Sequence, residues 1–124
     1  MNVRKITEKL YSLGVKNIIC APGGRCKSLL ETFAADQRFK VTTVYDERTA
    51  GFYALGLSFD SPTVVLTTSG SAVTELHSAV VEGYHQKNSQ LIMLTADRPI
   101  ELRHSGALQT IDQSYIFKNH TRKF

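Results

Sequence analysis

Residues 45–56 read Tyr45-Asp46-Glu47-Arg48-Thr49-Ala50-Gly51-Phe52-Tyr53-Ala54-Leu55-Gly56, and what flanks them decides the fold. Upstream, Val41-Thr42-Thr43-Val44 is β-branched throughout, which predicts a buried strand. Downstream, Ala, Leu and aromatic residues predict a helix over 47–58. Asp46 and Glu47 therefore fall where a strand ends and a helix begins. In open α/β sheets ligands bind just outside the carboxyl ends of the strands, and an acid there also meets the positive end of the helix dipole. Two roles fit this position. The carboxylates belong to a site, or Asp46 is an N-cap and Glu47 a first-turn acid that both stabilise the helix.

Working outward, the same alternation recurs. Val3, Ile6, Leu10 and Leu13 are spaced for a helix closed by Gly14. Asn17-Ile18-Ile19-Cys20-Ala21 is a continuous apolar run, typical of a strand buried on both faces. It ends in the turn Pro22-Gly23-Gly24-Arg25, before a helix over 28–35. After Asp60-Ser61-Pro62, a strand over 63–67 leads through Thr68-Ser69-Gly70-Ser71 into one helix over 72–85. A fourth strand over 90–95 ends in Ala96-Asp97-Arg98-Pro99, and 111–117 suits a short helix. Strands and helices alternate four times, so the fold class is α/β: one domain over 1–124, a three-layer αβα unit with a mostly parallel sheet and right-handed crossovers. In such a sheet the loops after all four strands open on one edge.

The totals bound the function. A chain of 124 residues is one domain that buries roughly two-thirds of its unfolded surface. A net charge of +4 suits an anionic ligand. The bases are scattered, apart from Lys118, Arg122 and Lys123, and are not interleaved with aromatics, which argues against nucleic acid as a partner. Cys20 reads as a small core residue, and its spacing from Cys26 matches no zinc pattern. The first residues carry no apolar signal stretch, and no run is long enough to span a membrane. These features predict a soluble, reduced, cytoplasmic domain.

Several chemistries can be weighed at the strand ends. Ser69 and Ser71 lie at a strand-to-helix turn, but G-x-S-x-G is absent and no His falls in the loops where a triad needs one. Thr68-Ser69-Gly70-Ser71 is a generic anion site at a helix N-terminus, or simply a cap; it lacks the Walker lysine. His77 and His85 are eight apart on one predicted helix, and His104 and His120 lie in loops, so no metal site is expected. Arg25 and Arg98 each follow a strand, where guanidinium groups suit a carboxylate substrate. The alternative for Arg98 is a salt bridge with Asp97 or Glu101.

Ala21-Pro22-Gly23-Gly24-Arg25, the 46–56 stretch, Thr68-Ser69-Gly70-Ser71-Ala72, the 94–103 stretch beginning Leu94-Thr95-Ala96-Asp97-Arg98-Pro99, and Gly106-Ala107-Leu108-Gln109-Thr110-Ile111-Asp112-Gln113 occur in this order. Together they resemble the N-terminal, pyrimidine-binding domain of the 2-succinyl-5-enolpyruvyl-6-hydroxy-3-cyclohexene-1-carboxylate synthases. These are thiamine diphosphate enzymes of menaquinone and phylloquinone synthesis. The likeness runs over nearly the whole chain. It implies a reaction in which 2-oxoglutarate loses CO2 on the cofactor and the resulting four-carbon unit adds to isochorismate. It implies that Glu47 is the catalytic glutamate, which hydrogen-bonds N1′ of the aminopyrimidine and so favours the imino tautomer. Pro22 and Gly23 match positions that approach the pyrimidine, and Ser69 joins them and Glu47 as a cofactor-binding candidate. Arg25, Arg98 and Gln109 match positions that bind substrate carboxylates and intermediate oxygens.

The chain departs from the pattern in three places. Gly24-Arg25-Cys26 stands where the family usually has Ser-Arg-Ser, and Leu108 where it usually has Asn or a small residue. The family's enzymes run to several hundred residues, and a second domain carries the Mg²⁺ and diphosphate site. The resemblance therefore implies a partial pyrimidine domain, lacking a final strand and helix. The full enzyme would be a homo-oligomer, dimer or tetramer, and the 124 residues alone would be inactive. Three alternatives keep the fold: a split subunit, a non-catalytic dimerisation module, or the pyrimidine domain of another 2-oxoacid thiamine enzyme.

Overall fold

The computed structural model describes residues 2–122. Four strands form one sheet: β1 (Asn17–Cys20), β2 (Lys40–Thr43), β3 (Thr63–Thr67) and β4 (Leu91–Thr95). Their order is β2-β1-β3-β4, and every pairing is parallel. Cys20 lies opposite both Thr43 and Leu66, and Leu66 opposite Leu94, so the four strands end level.

The period-two alternation of side chains in the central strands builds the two faces. Ile18, Cys20, Val64 and Leu66 point to one side, where they pack with Leu10 of α1 (Val3–Ser12) and with Leu29 and Phe33 of α2 (Lys27–Ala35). Ile19, Ala21 and Val65 point to the other, against α3 (Glu47–Leu57), α4 (Ser71–Glu75) and α5 (His77–His85). The result is three layers, αβα, as the alternation implied. Phe33 and Phe39 meet edge to face at 5.2 Å between ring centroids, closing the first core. At the surface beside it, Arg38 binds Asp36 at 2.7 Å and Glu8 of α1 at 2.9 Å, and its guanidinium lies 4.7 Å over the Tyr11 ring. Among the described residues no helix is long and apolar enough to cross a membrane.

Three local expectations are corrected. The β-branched run 41–44 does not form a buried strand: β2 is an edge strand whose ends, Lys40 and Thr43, are exposed. Threonine suits such an edge as well as an interior, so composition alone does not separate them. The helix expected over 72–85 is two helices. The Leu76 N–H bonds to Val73 O, three residues back, which tightens the turn and separates α4 from α5. The tail 111–117 is not helical. Tyr115 has φ +60°, which no helix accepts, and both ends of the Gln113 side-chain amide bond to other loops; a 3₁₀ turn follows at Lys118–His120.

Candidate functional site

The order in which successive strands are added reverses at the centre of the parallel sheet. From β1 the chain crosses by α2 to β2 on one side, then by α3 over the opposite face to β3 on the other side of β1. The β1/β3 boundary is thus a topological switch point, and the crevice outside its carboxyl edge is where open α/β sheets bind ligands. All four loops that carry the candidate residues leave the sheet on this edge.

The loops after β1 and β3 press together across the switch. A Cβ added to Gly23 would lie 2.5 Å from Thr68 Cβ, so no side chain fits there and backbone 22–24 approaches β3 directly. Beside it, the Arg25 N–H donates to Thr68 Oγ1 at 3.3 Å, while the Arg25 side chain is exposed. Pro22 and Gly23 are half-buried at the mouth. Cys26, in the 3₁₀ turn Gly24–Cys26, is fully buried, with Sγ 3.3 Å from Gly23 O. The Cys20 thiol is pushed up by its hydrogen bond to Cys26 and by burial, which leaves it inert.

At the start of α3 the two acids divide their work. Asp46 is the N-cap: its Oδ1 accepts from the Thr49 N–H at 2.7 Å, and that bond holds its carboxyl below the usual range. Glu47, half-buried in the first turn, has no hydrogen bond or ion pair to its carboxylate among the described residues. Tyr45, just before α3, and Phe52 and Tyr53, within it, are exposed aromatic residues.

Beyond β4 the chain folds back over the β3–α4 turn. Gly70, at φ +76° and ψ −129°, lies against Gln109 so closely that a Cβ would sit 2.5 Å from the Gln109 carbonyl. Ser69 is fully buried, and its hydroxyl donates to Gln109 O at 3.1 Å, so that side chain holds Gln109 in place. Gln109, at φ +53°, is exposed. Arg98 forms no salt bridge with Asp97 or Glu101. Asp97 instead receives the Arg98 backbone N–H at 2.7 Å and the Arg103 guanidinium at 3.2 Å. Arg103 also reaches Asp112 at 3.1 Å, bracing the 97–112 loop. Arg98 Nε is buried and has no hydrogen-bond partner among the described residues, leaving a guanidinium donor to be satisfied.

The structure thus gathers Pro22, Gly23, Arg25, Ser69, Arg98 and Gln109 into contiguous loops, with Glu47 on the same edge. Sequence reasoning assigned no role to Arg103 or Gln113, and placed Thr68 in an anion site or cap rather than against Gly23 and Arg25. Gln113 ends the 106–113 stretch, but no spacing rule reveals that its partners are Gly70 and Ala96. Among the described residues no group of three His, Cys, Asp or Glu could hold a metal ion. His77 instead packs edge to face on Phe117 and His120.

Residues 3–116 match the family described as thiamine pyrophosphate enzyme, N-terminal TPP binding domain. Among curated proteins, three relatives share the name 2-succinyl-5-enolpyruvyl-6-hydroxy-3-cyclohexene-1-carboxylate synthase. The one from Renibacterium salmoninarum is 45% identical over 124 residues, covering 98% of this chain and 22% of that protein. The one from Roseiflexus castenholzii is 44% identical over 119 residues, covering 94% and 20%. The one from Vibrio vulnificus is 47% identical over 115 residues, covering 91% and 20%. The chain spans about a fifth of the length of the curated relatives it matches.

Proposed function

The chain belongs to the thiamine pyrophosphate enzyme N-terminal domain family, and on that premise we propose that it is the pyrimidine-binding part of a synthase that decarboxylates 2-oxoglutarate and adds the product to isochorismate, in menaquinone biosynthesis. The observation that carries this reading is the division of labour at α3. Asp46 caps the helix, which leaves the Glu47 carboxylate uncommitted on the edge where the four loops meet. An acid that is neither a cap nor an ion-pair partner fits a group that shares a proton with a ligand.

Thiamine diphosphate, when bound, supplies the nucleophilic carbon and electron sink for 2-oxoacid decarboxylation. Toward it, Glu47 would share a proton with the pyrimidine N1′ at the positive end of the α3 dipole. The Pro22-Gly23 backbone, kept bare by its contact with Thr68, would lie along the ring. Ser69 would act through Gln109, since that is where its hydroxyl bonds. Both proposed substrates are dicarboxylates, and Arg25, Arg98 and Gln109 would hold their carboxylate and oxygen groups.

Mg²⁺ and the diphosphate would be held by another part of the full-length protein. The exposed aromatic side chains of Tyr45, Phe52 and Tyr53 would be covered by a second subunit in a homo-oligomer. The setting would be the cytoplasm.

The test has two arms. A full-length protein carrying this chain should consume 2-oxoglutarate only with thiamine diphosphate and Mg²⁺, and should form an adduct with isochorismate. The isolated 124-residue chain should give no turnover and no tight binding of thiamine diphosphate by calorimetry. Micromolar binding or turnover by the isolated chain, or no 2-oxoglutarate consumption by the full-length protein, refutes the proposal.

A further inference from the structure

We infer that Gln113 is a positioning residue, which fixes the substrate-facing groups Arg98 and Gln109 by tying the β3–α4 turn to the exit of β4. The inference rests on the substrate roles proposed above for those two residues.

The Gly70 N–H donates to Gln113 Oε1 at 2.8 Å, and Gln113 Nε2 donates to Ala96 O at 2.9 Å. A backbone N–H can only donate and a carbonyl can only accept, so the two partners together dictate which way the amide faces. No other uncharged side chain of this length offers both a donor and an acceptor at its tip. One end of this strut sets the peptide that leads from Ala96 through Asp97 to Arg98. The other end sets Gly70, against which the Gln109 backbone is packed and beside which Ser69 holds Gln109 O. Gln109 sits at φ +53°, a sparsely populated conformation for a residue with a side chain, which persists only where neighbours over-determine it. Arg103 adds a second brace from Asp97 to Asp112, the residue before Gln113. Gln113 thus reaches both substrate-facing groups through the backbone and need not touch the substrate.

Two variants separate the halves of the strut. Gln113→Met keeps the approximate volume and loses both bonds. Gln113→Glu keeps the acceptor for Gly70 and loses the donor to Ala96. In the full-length protein, both should raise KM for 2-oxoglutarate or isochorismate about tenfold, the effect of one lost buried hydrogen bond. Affinity for thiamine diphosphate should stay near the parent's, while both variants should melt somewhat lower, since each leaves Ala96 O without its partner. A purely structural role would lower the melting temperature in the same way but leave KM unchanged, and that result overturns the inference. Amide NMR spectra of the 124-residue chain test the strut without turnover. The Gly70 and Gln109 resonances should move in Gln113→Met, and the Gly70 resonance should stay near its parent position in Gln113→Glu. Unmoved resonances in Gln113→Met overturn the inference whatever the activity. Moved resonances together with a parent protein that consumes no 2-oxoglutarate refute the proposed reaction and leave the strut standing.

Discussion

Replacing Glu47 by Gln, with Asp46→Ala as its counterpart, separates catalysis from helix capping within one pair of adjacent residues. Glu47→Gln is isosteric, breaks no hydrogen bond among the described residues, and leaves the Asp46–Thr49 cap in place. Its structural cost is the loss of one charge at the α3 N-terminus, about 0.3–1 kcal/mol, so the unfolding midpoint should move by about 2 °C. If Glu47 shares a proton with the cofactor, turnover should fall roughly 10²–10⁴-fold, the usual contribution of a positioned acid or base. That corresponds to about 3–5.5 kcal/mol of barrier. Asp46→Ala should do the reverse. It removes the cap, lowers the midpoint by about 4 °C, and changes turnover only a few-fold. The assay is steady-state 2-oxoglutarate consumption by the full-length protein, paired with thermal melts of both variants. Near-normal turnover in Glu47→Gln, or equal loss of turnover in the two variants, would return Glu47 to a helix-stabilising role and refute the reasoning.

Three further outcomes follow from the same geometry. Arg98→Lys, which removes the planar fork and its buried Nε, should weaken 2-oxoglutarate or isochorismate binding about tenfold or more and spare cofactor affinity, measured by KM and by thiamine diphosphate titration. Gly70→Ala should destabilise the fold by roughly 2–6 kcal/mol in urea unfolding, because a strained backbone and a Cβ packed into Gln109 each cost about 1–3 kcal/mol; a loss below 1 kcal/mol would mean that the 109–113 segment moves freely. Arg38 holds the Asp36 and Glu8 carboxyls below their ordinary values, so their contribution is complete above about pH 5 and is lost as pH falls through the lowered values. The difference in urea midpoint between the parent and Arg38→Met should accordingly be larger at pH 7 than at pH 3, and equal differences would refute the assignment.

Local chemistry determined most of the framework. The continuous apolar runs 17–21 and 63–67, the helical spacing of Val3, Ile6 and Leu10, and the acid pair at the start of α3 are signals within a few residues of one another, and each element formed where its signal stood. The strand–helix alternation then implied a parallel sheet, because right-handed crossovers leave few other arrangements. From that sheet it followed that Pro22, Glu47, Ser69 and Arg98 share one edge. What the sequence could not carry was any property set by residues far apart in the chain. That β1 sits beside β3, that β2 is an exposed edge, and that the switch point falls between the Gly23 and Thr68 loops are decided by how the layers pack. The same holds for the tail. Its residues 111–117 have an acceptable local pattern for a helix, but the Gly70 N–H and the Ala96 carbonyl compete for Gln113, and the backbone turns at Tyr115 to reach them. A hydrogen bond across 43 residues has no local signature, yet it outweighs a weak helical preference once the sheet has brought its two ends together.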